Sequence, residues 1–149
     1  MSRFKYIYVL ILISLNLSCQ QKSGGEGQAG IAISFDDHFI DEWYALRPLF
    51  QKYNAKVTFF ITCGDSLTTS EITKLKQLQS DGHEIGFHGT IHGKSTELIT
   101  LGADQYVETE LTPGMNLLSA AGFKPTSYAH PGGNHNEQVD SVLFTHGFK

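Results

Sequence analysis

The chain has 149 residues, 40% of them hydrophobic, with 11 basic against 15 acidic side chains and a net charge of −4. That is one domain's worth of sequence with an ordinary apolar content. The mild negative charge and the lack of a Lys/Arg cluster beyond the N-terminus exclude a nucleic-acid surface. Two cysteines exclude a disulfide framework.

The first residues read as a processing segment. Arg3 and Lys5 precede a nearly all-apolar run, Ile7 to Leu17, which is too short to span a bilayer comfortably. Ser18, Cys19 and a polar stretch follow. Residues 1–19 are therefore expected to be a secretory signal peptide. Leu17-Ser18-Cys19 resembles the lipobox of bacterial lipoprotein signals, which implies lipidation of Cys19 and a membrane anchor in the cell envelope. Ordinary secretion with cleavage nearby is the other reading. Residues 20–30, rich in Gly and polar residues, read as a flexible linker to a domain over 31–149.

From Gly30 onward strand-like and helix-like patterns alternate. Ile31 to Phe35 suits a buried strand, and Pro48 to Tyr53 a helix, with a separate helical turn over Asp41 to Arg47. Val57 to Ile61 is a β-branched and aromatic strand. Thr69 or Ser70 is expected to cap a helix that places Ile72, Leu75 and Leu78 on one face and ends at Gly82. Cys63, alone in the domain, reads as a small buried hydrophobe. His83 to Phe87 is a third strand. A helical region from about Asp104 to Ala121 is expected to be interrupted at Pro113-Gly114. Thr126 to Ala129 is a fourth strand, and Glu137 to His146 a last helix. This β-α alternation predicts an α/β fold with a parallel sheet or barrel.

In such folds the loops at the C-terminal ends of the strands converge on one face. The unusual residues lie there: Asp36-Asp37, then His88 and His92, then His130-Pro131-Gly132-Gly133. Adjacent carboxylates after a strand start in different directions, so one can hold a metal while the other faces water or substrate. Imidazoles four residues apart can meet one ion. A carboxylate with two imidazoles is a common catalytic ligand set that leaves coordination positions open. Each feature alone arises easily by chance; their order at successive strand ends does not.

These segments resemble the motifs of NodB-type polysaccharide deacetylases, carbohydrate esterase family 4. Ser34-Phe35-Asp36-Asp37 is similar to the family's first motif, T-F-D-D-G. Gly82-His83-Glu84-Ile85-Gly86-Phe87-His88-Gly89-Thr90-Ile91-His92 is similar to its second, G-H-E-I-G-N-H-[ST]-x-x-H. Ala129-His130-Pro131-Gly132-Gly133 aligns with its third, R-x-P-[YF]-G, and Lys56 to Phe60 with its K-A-T-F-F strand.

The resemblance implies a distorted (β/α) barrel, truncated here after the fourth β/α unit. It implies Asp36 as catalytic base, with Asp37, His88 and His92 as ligands of a divalent metal, usually zinc. It further implies Gly132 as a backbone oxyanion donor, with His130 and Pro131 beside the substrate. The implied activity is metal-dependent hydrolysis of acetyl groups, at a non-peptide C–N bond, from peptidoglycan or an exopolysaccharide outside the cytoplasm.

Three departures stand out. His38 replaces the glycine after the Asp pair, either approaching the metal or merely occupying a loop. Ala129 stands where the family has an Arg that orients the base. Gly132 stands where the family has an aromatic residue, which would widen the groove or alter substrate preference. The family's fourth and fifth motifs, supplying a groove wall and a general-acid His, have no counterpart, and neither His135 nor His146 falls in a family pattern. The alternative expectation is therefore a metal- or carbohydrate-binding lipoprotein fragment without turnover.

Overall fold

The computed structural model describes residues 30–149. The expected signal peptide, with Cys19, and the expected linker up to residue 29 lie outside the described residues. Among the described residues no helix is long and apolar enough to cross a membrane.

Three parallel strands form the sheet: β1 (Ser34–Asp37), β2 (Thr58–Ile61) and β3 (Glu84–Phe87), in the order β1-β2-β3. Phe35, Phe59 and Ile85 align across it, as do Asp37, Ile61 and Phe87. Helices α1 (Ile40–Ala45) and α2 (Arg47–Lys52) link β1 to β2, and α3 (Thr69–Ser80) links β2 to β3. All three fall close to their expected places. Pro48 sits in the first turn of α2, where its missing N–H costs nothing.

The N-cap of α3 is Thr68, one residue before the expected pair. Thr68 accepts from the Glu71 N–H while the Glu71 carboxylate accepts from the Thr68 N–H, a reciprocal capping box. The decisive signal is the Glu three residues downstream, which satisfies a second orphan donor that Thr69 or Ser70 would leave open.

Phe59, fully buried, organises the core between sheet and helices. Its ring lies 5.0 Å from Trp43, 5.6 Å from Phe35 and 5.9 Å from Phe50. Cys63 is also fully buried, and burial pushes its thiol up to about 12, so it behaves as the small hydrophobe expected.

After β3 the chain forms α4 (Ser95–Leu98), followed directly by a 3₁₀ turn at Ile99–Leu101 that periodicity did not indicate. Next come α5 (Ala103–Tyr106), a π turn at Val107–Leu111 and α6 (Thr112–Ala120). The expected irregularity thus lies just ahead of Pro113. The fourth strand shrinks to a single parallel bridge, in which Phe87 N–H donates to Ser127 and Ala129 N–H to Phe87. Pro125, which has no N–H to give, precedes this segment, and the turn at Pro131–Gly133 ends it. Helix α7 (Glu137–Thr145) closes the described chain, its Asn136 side chain accepting from Val139 N–H.

His83 is buried against Phe50 and Phe59, and its Nδ1 accepts the Val57 N–H. Burial holds this imidazole below its ordinary range. At this residue protons bind the unfolded chain more tightly than the folded one, so its contribution to stability is present above an unfolded pKa of about 6.5 and drains away as pH falls through that value. In urea melts at pH 7.5 and 5.5, the wild type should lose more of its midpoint on acidification than His83→Gln. An equal loss in both would show that His83 does not titrate between the two states.

Candidate metal centre

Parallel pairing puts the C-terminal ends of β1 and β3 on one edge, separated by two strand spacings, about 9.5 Å. Side chains must arch over the end of β2 to meet, and they do. Asp37 Oδ1 lies 3.7 Å from His88 Nε2 and 3.4 Å from His92 Nε2. The two imidazole centroids are 4.9 Å apart. All three donor atoms lie within 4.8 Å of one another.

The backbone is bent to achieve this. Asp37 has φ +83° and His92 φ +55°, in the left-handed region that side-chain-bearing residues rarely occupy. Two of the three non-glycine residues with positive φ among the described residues are thus members of this cluster, the third being Asn54. Such strain persists where surrounding contacts over-determine it, and it collects at functional sites.

His88 is buried and fixed from behind. Its Nδ1–H donates to the Ala129 carbonyl at 2.9 Å. A carbonyl only accepts, so the neutral ring must present the lone pair of Nε2 toward Asp37. This is the arrangement that orients metal-binding histidines. Ala129 carries no guanidinium, yet its backbone makes the fourth segment part of the site. Asp37 and His92 are about half exposed, which leaves the cluster open to solvent on one side.

Residues the motifs did not reveal hold His92. Glu110, fully buried on the π turn, straddles it: Oε2 accepts from Ile91 N–H and Oε1 from Gly93 N–H, each at 3.1 Å. Burial raises the Glu110 carboxyl above its usual range, and these two donors pull it back down. The widened helix has a local cause. Thr90 inserts into the ladder, its N–H and hydroxyl both donating to Glu110 O while Gly114 N–H donates to the Thr90 hydroxyl. A side chain at Gly89, where φ is +82°, would collide with the Glu110 carboxylate. The available sequence signal was a lone carboxylate at four-residue spacing between Tyr106 and Gly114, on the apolar face of a helix.

The remaining predicted residues divide. Asp36 directly precedes Asp37 at the end of β1 and is exposed. Pro131, Gly132 and Gly133 form two overlapping turns, Gly133 N–H donating to the His130 carbonyl and Asn134 N–H to that of Pro131, with Gly132 left-handed at φ +60°, and a Cβ there would meet nothing within 4 Å. No backbone hydrogen bond from the Gly132 N–H is found among the described residues. The His130 ring turns toward Asp140. His38 bridges the Thr62 carbonyl and the Glu71 carboxylate, tying the β1 loop to α3 rather than approaching the Asp37 cluster. Arg47 is engaged by both carboxylate oxygens of Asp81.

Residues 23–149 match the sequence profile of the polysaccharide deacetylase family. The match spans most of the chain, which therefore belongs to that family. Solved structures agree on the fold. A family 4 carbohydrate esterase from Streptomyces lividans superposes with TM-score 0.69 at 19% identity, over 82% of this chain and 61% of that one. The peptidoglycan deacetylase PdaC of Bacillus subtilis gives 0.62 at 22% identity, over 78% and 56%. BA3943 of Bacillus anthracis, a pseudoenzyme of carbohydrate esterase family 4, gives 0.64 at 18% identity, over 78% and 40%. The chain thus spans between two fifths and three fifths of these proteins.

Glu110→Ala should destabilise the protein by about 2 kcal/mol, because two part-buried N–H groups lose their acceptor. Amide exchange at Ile91 and Gly93 should accelerate in the variant. Unchanged exchange there would show that Glu110 does not hold the His92 loop.

Proposed function

We propose that this chain carries the metal-binding half of an exported deacetylase that hydrolyses acetyl groups from a cell-envelope polysaccharide such as peptidoglycan. The convergence of Asp37, His88 and His92 across β2, with His88 locked in one tautomer, carries the reading. One carboxylate and two imidazoles, open on one side, fit a divalent ion of zinc type. When bound, such an ion supplies Lewis-acid polarisation and acidifies water.

The chain's own groups do the rest. Asp36, exposed beside Asp37 at the end of β1, takes the proton from the attacking water. The Gly132 N–H, with no backbone acceptor among the described residues, donates to the oxygen that gains charge as the amide carbonyl is attacked, an interaction worth a few kcal/mol in such sites. His130 and Pro131 carry the groove wall beside it, and the open space at Gly132 admits a broad polymer. Export with a lipid anchor at Cys19 would bring the site to its substrate. Cys19→Ser should move the protein from the membrane to the soluble fraction; an unchanged distribution would eliminate the anchor.

A second reading, a metal- or carbohydrate-binding module without turnover, has its own support. Arg47 is held by Asp81, and Arg3 falls outside the described residues, so no described guanidinium stands free to orient Asp36. One set of measurements separates the readings. The purified protein should bind a divalent ion at this cluster, with binding there lost in His88→Ala and His92→Ala. It should release acetate from acetylated glycan, with Asp36→Asn lowering the rate at least a hundredfold. Metal binding without acetate release would favour the binding module, and no metal binding in the folded protein would sink the deacetylase and leave only a carbohydrate-binding module.

A further inference from the structure

The C-terminal part of the fold gathers a second set of ligand-type side chains, none of them a member of the Asp37 cluster. His130 follows the Ala129 bridge, His135 lies in the loop before α7, and Asp140 is in the first turn of α7. His135 Nδ1 is 3.1 Å from Asp140 Oδ2, and His130 Nε2 is 3.3 Å from Asp140 Oδ1. The two imidazoles face each other with centroids 4.7 Å apart, close to the 4.9 Å of the His88–His92 pair. One donor atom from each residue lies within 4.8 Å of the other two.

An acidic residue in a helix's first turn is explained by the helix dipole alone. Two imidazoles converging on it are not. The spacing is that of a ligand shell: donors about 2.0–2.2 Å from a tetrahedral ion stand about 3.3–3.5 Å from one another. Hydrogen bonding does not account for the whole cluster either. The 3.3 Å approach of His130 lacks hydrogen-bond alignment, and Asp140 Oδ1 and His130 Nδ1 are buried without a partner. Each such group typically costs about 1–3 kcal/mol. A cation between the three residues would take up the unpartnered carboxylate oxygen.

The backbone is prepared for it. Asn134 Oδ1 accepts from both the N–H and the hydroxyl of Thr96, and Asn136 caps α7, so His135 is pinned on both sides. Val139 and Leu143, buried, hold α7 against the core. A pocket of about 170 Å³, walled by Tyr128, Phe144 and Phe148, opens onto the cluster and leaves room for a further ligand.

We propose that His130, His135 and Asp140 form a second divalent-metal site, of zinc type, that shares no ligand with the Asp37 cluster. Its ion would tie the segment carrying Ala129 and Gly132 to α7, making it a structural pin behind the first site.

The test is a titration of the chelator-treated full chain with Zn²⁺ alone, by calorimetry with parallel metal analysis. Wild type, His92→Ala, His135→Gln and Asp140→Asn are compared, with circular dichroism confirming that each is folded. Two ions are expected in the wild type and one in each single variant, with none in His92→Ala/His135→Gln. Because His135 is half exposed in a loop, His135→Gln carries the test if Asp140→Asn fails to fold. A single wild-type ion, lost in His92→Ala and unaffected by His135→Gln, overturns the second site and leaves the first standing. A single ion lost in His135→Gln but kept in His92→Ala supports it and removes the first. No binding to folded wild type overturns both.

Discussion

Parallel pairing is the constraint from which the rest follows. It sends the C-terminal ends of β1, β2 and β3 to one edge, so that loops distant in sequence must share one small space. The core on the helix side, built around Phe59, makes that edge rigid. With β2 lying between the strands that carry ligands, the meeting of Asp37 with His88 and His92 depends on backbone turns that extended chain would not supply. The positive φ angles at Asp37 and His92 are the local cost of closing that gap.

That cost is sustained by polar groups placed beneath the loop. Glu110 replaces water for two N–H groups on either side of His92, and Thr90 completes a helix ladder that it has itself opened. A buried carboxylate is tolerated only because both its oxygens are occupied. The π turn is therefore part of the support of the candidate metal centre. On the other side the Ala129 carbonyl sets the tautomer of His88, so a segment reduced to one bridge still matters to the site.

Family membership and activity separate here. The described fold is shared with an esterase and with a pseudoenzyme alike, and the chain spans only part of either. Within this chain Asp37, His88 and His92 converge on one point, while the two polar side chains nearest the proposed base in function are engaged elsewhere. Arg47 belongs to the helix packing through Asp81, and His38 belongs to the β1–α3 junction through Glu71. Both are consumed by architecture rather than chemistry.

Local pattern was enough for the strand–helix alternation, the burial of Cys63 and the three residues of the first cluster, because apolar periodicity and motif order are properties of neighbouring residues. The capping box of α3 is just as local, Thr68 and Glu71 being three residues apart, yet the expected cap fell on Thr69 or Ser70. Glu110, the Ala129 carbonyl and the grouping of His130, His135 and Asp140 were not legible in local pattern. Glu110 acts on a loop nearly twenty residues earlier in the chain, and Ala129 acts through a backbone atom that any residue possesses. His135 and Asp140 meet His130 only because Asn134 and Asn136 pin the loop and α7 packs on Val139 and Leu143. Sequence by itself determined the strand–helix alternation through β3 and which side chains could bind a cation. Tertiary structure alone decided which of them share a point in space, because that depends on how strands are spaced and how buried polar groups find partners across the fold.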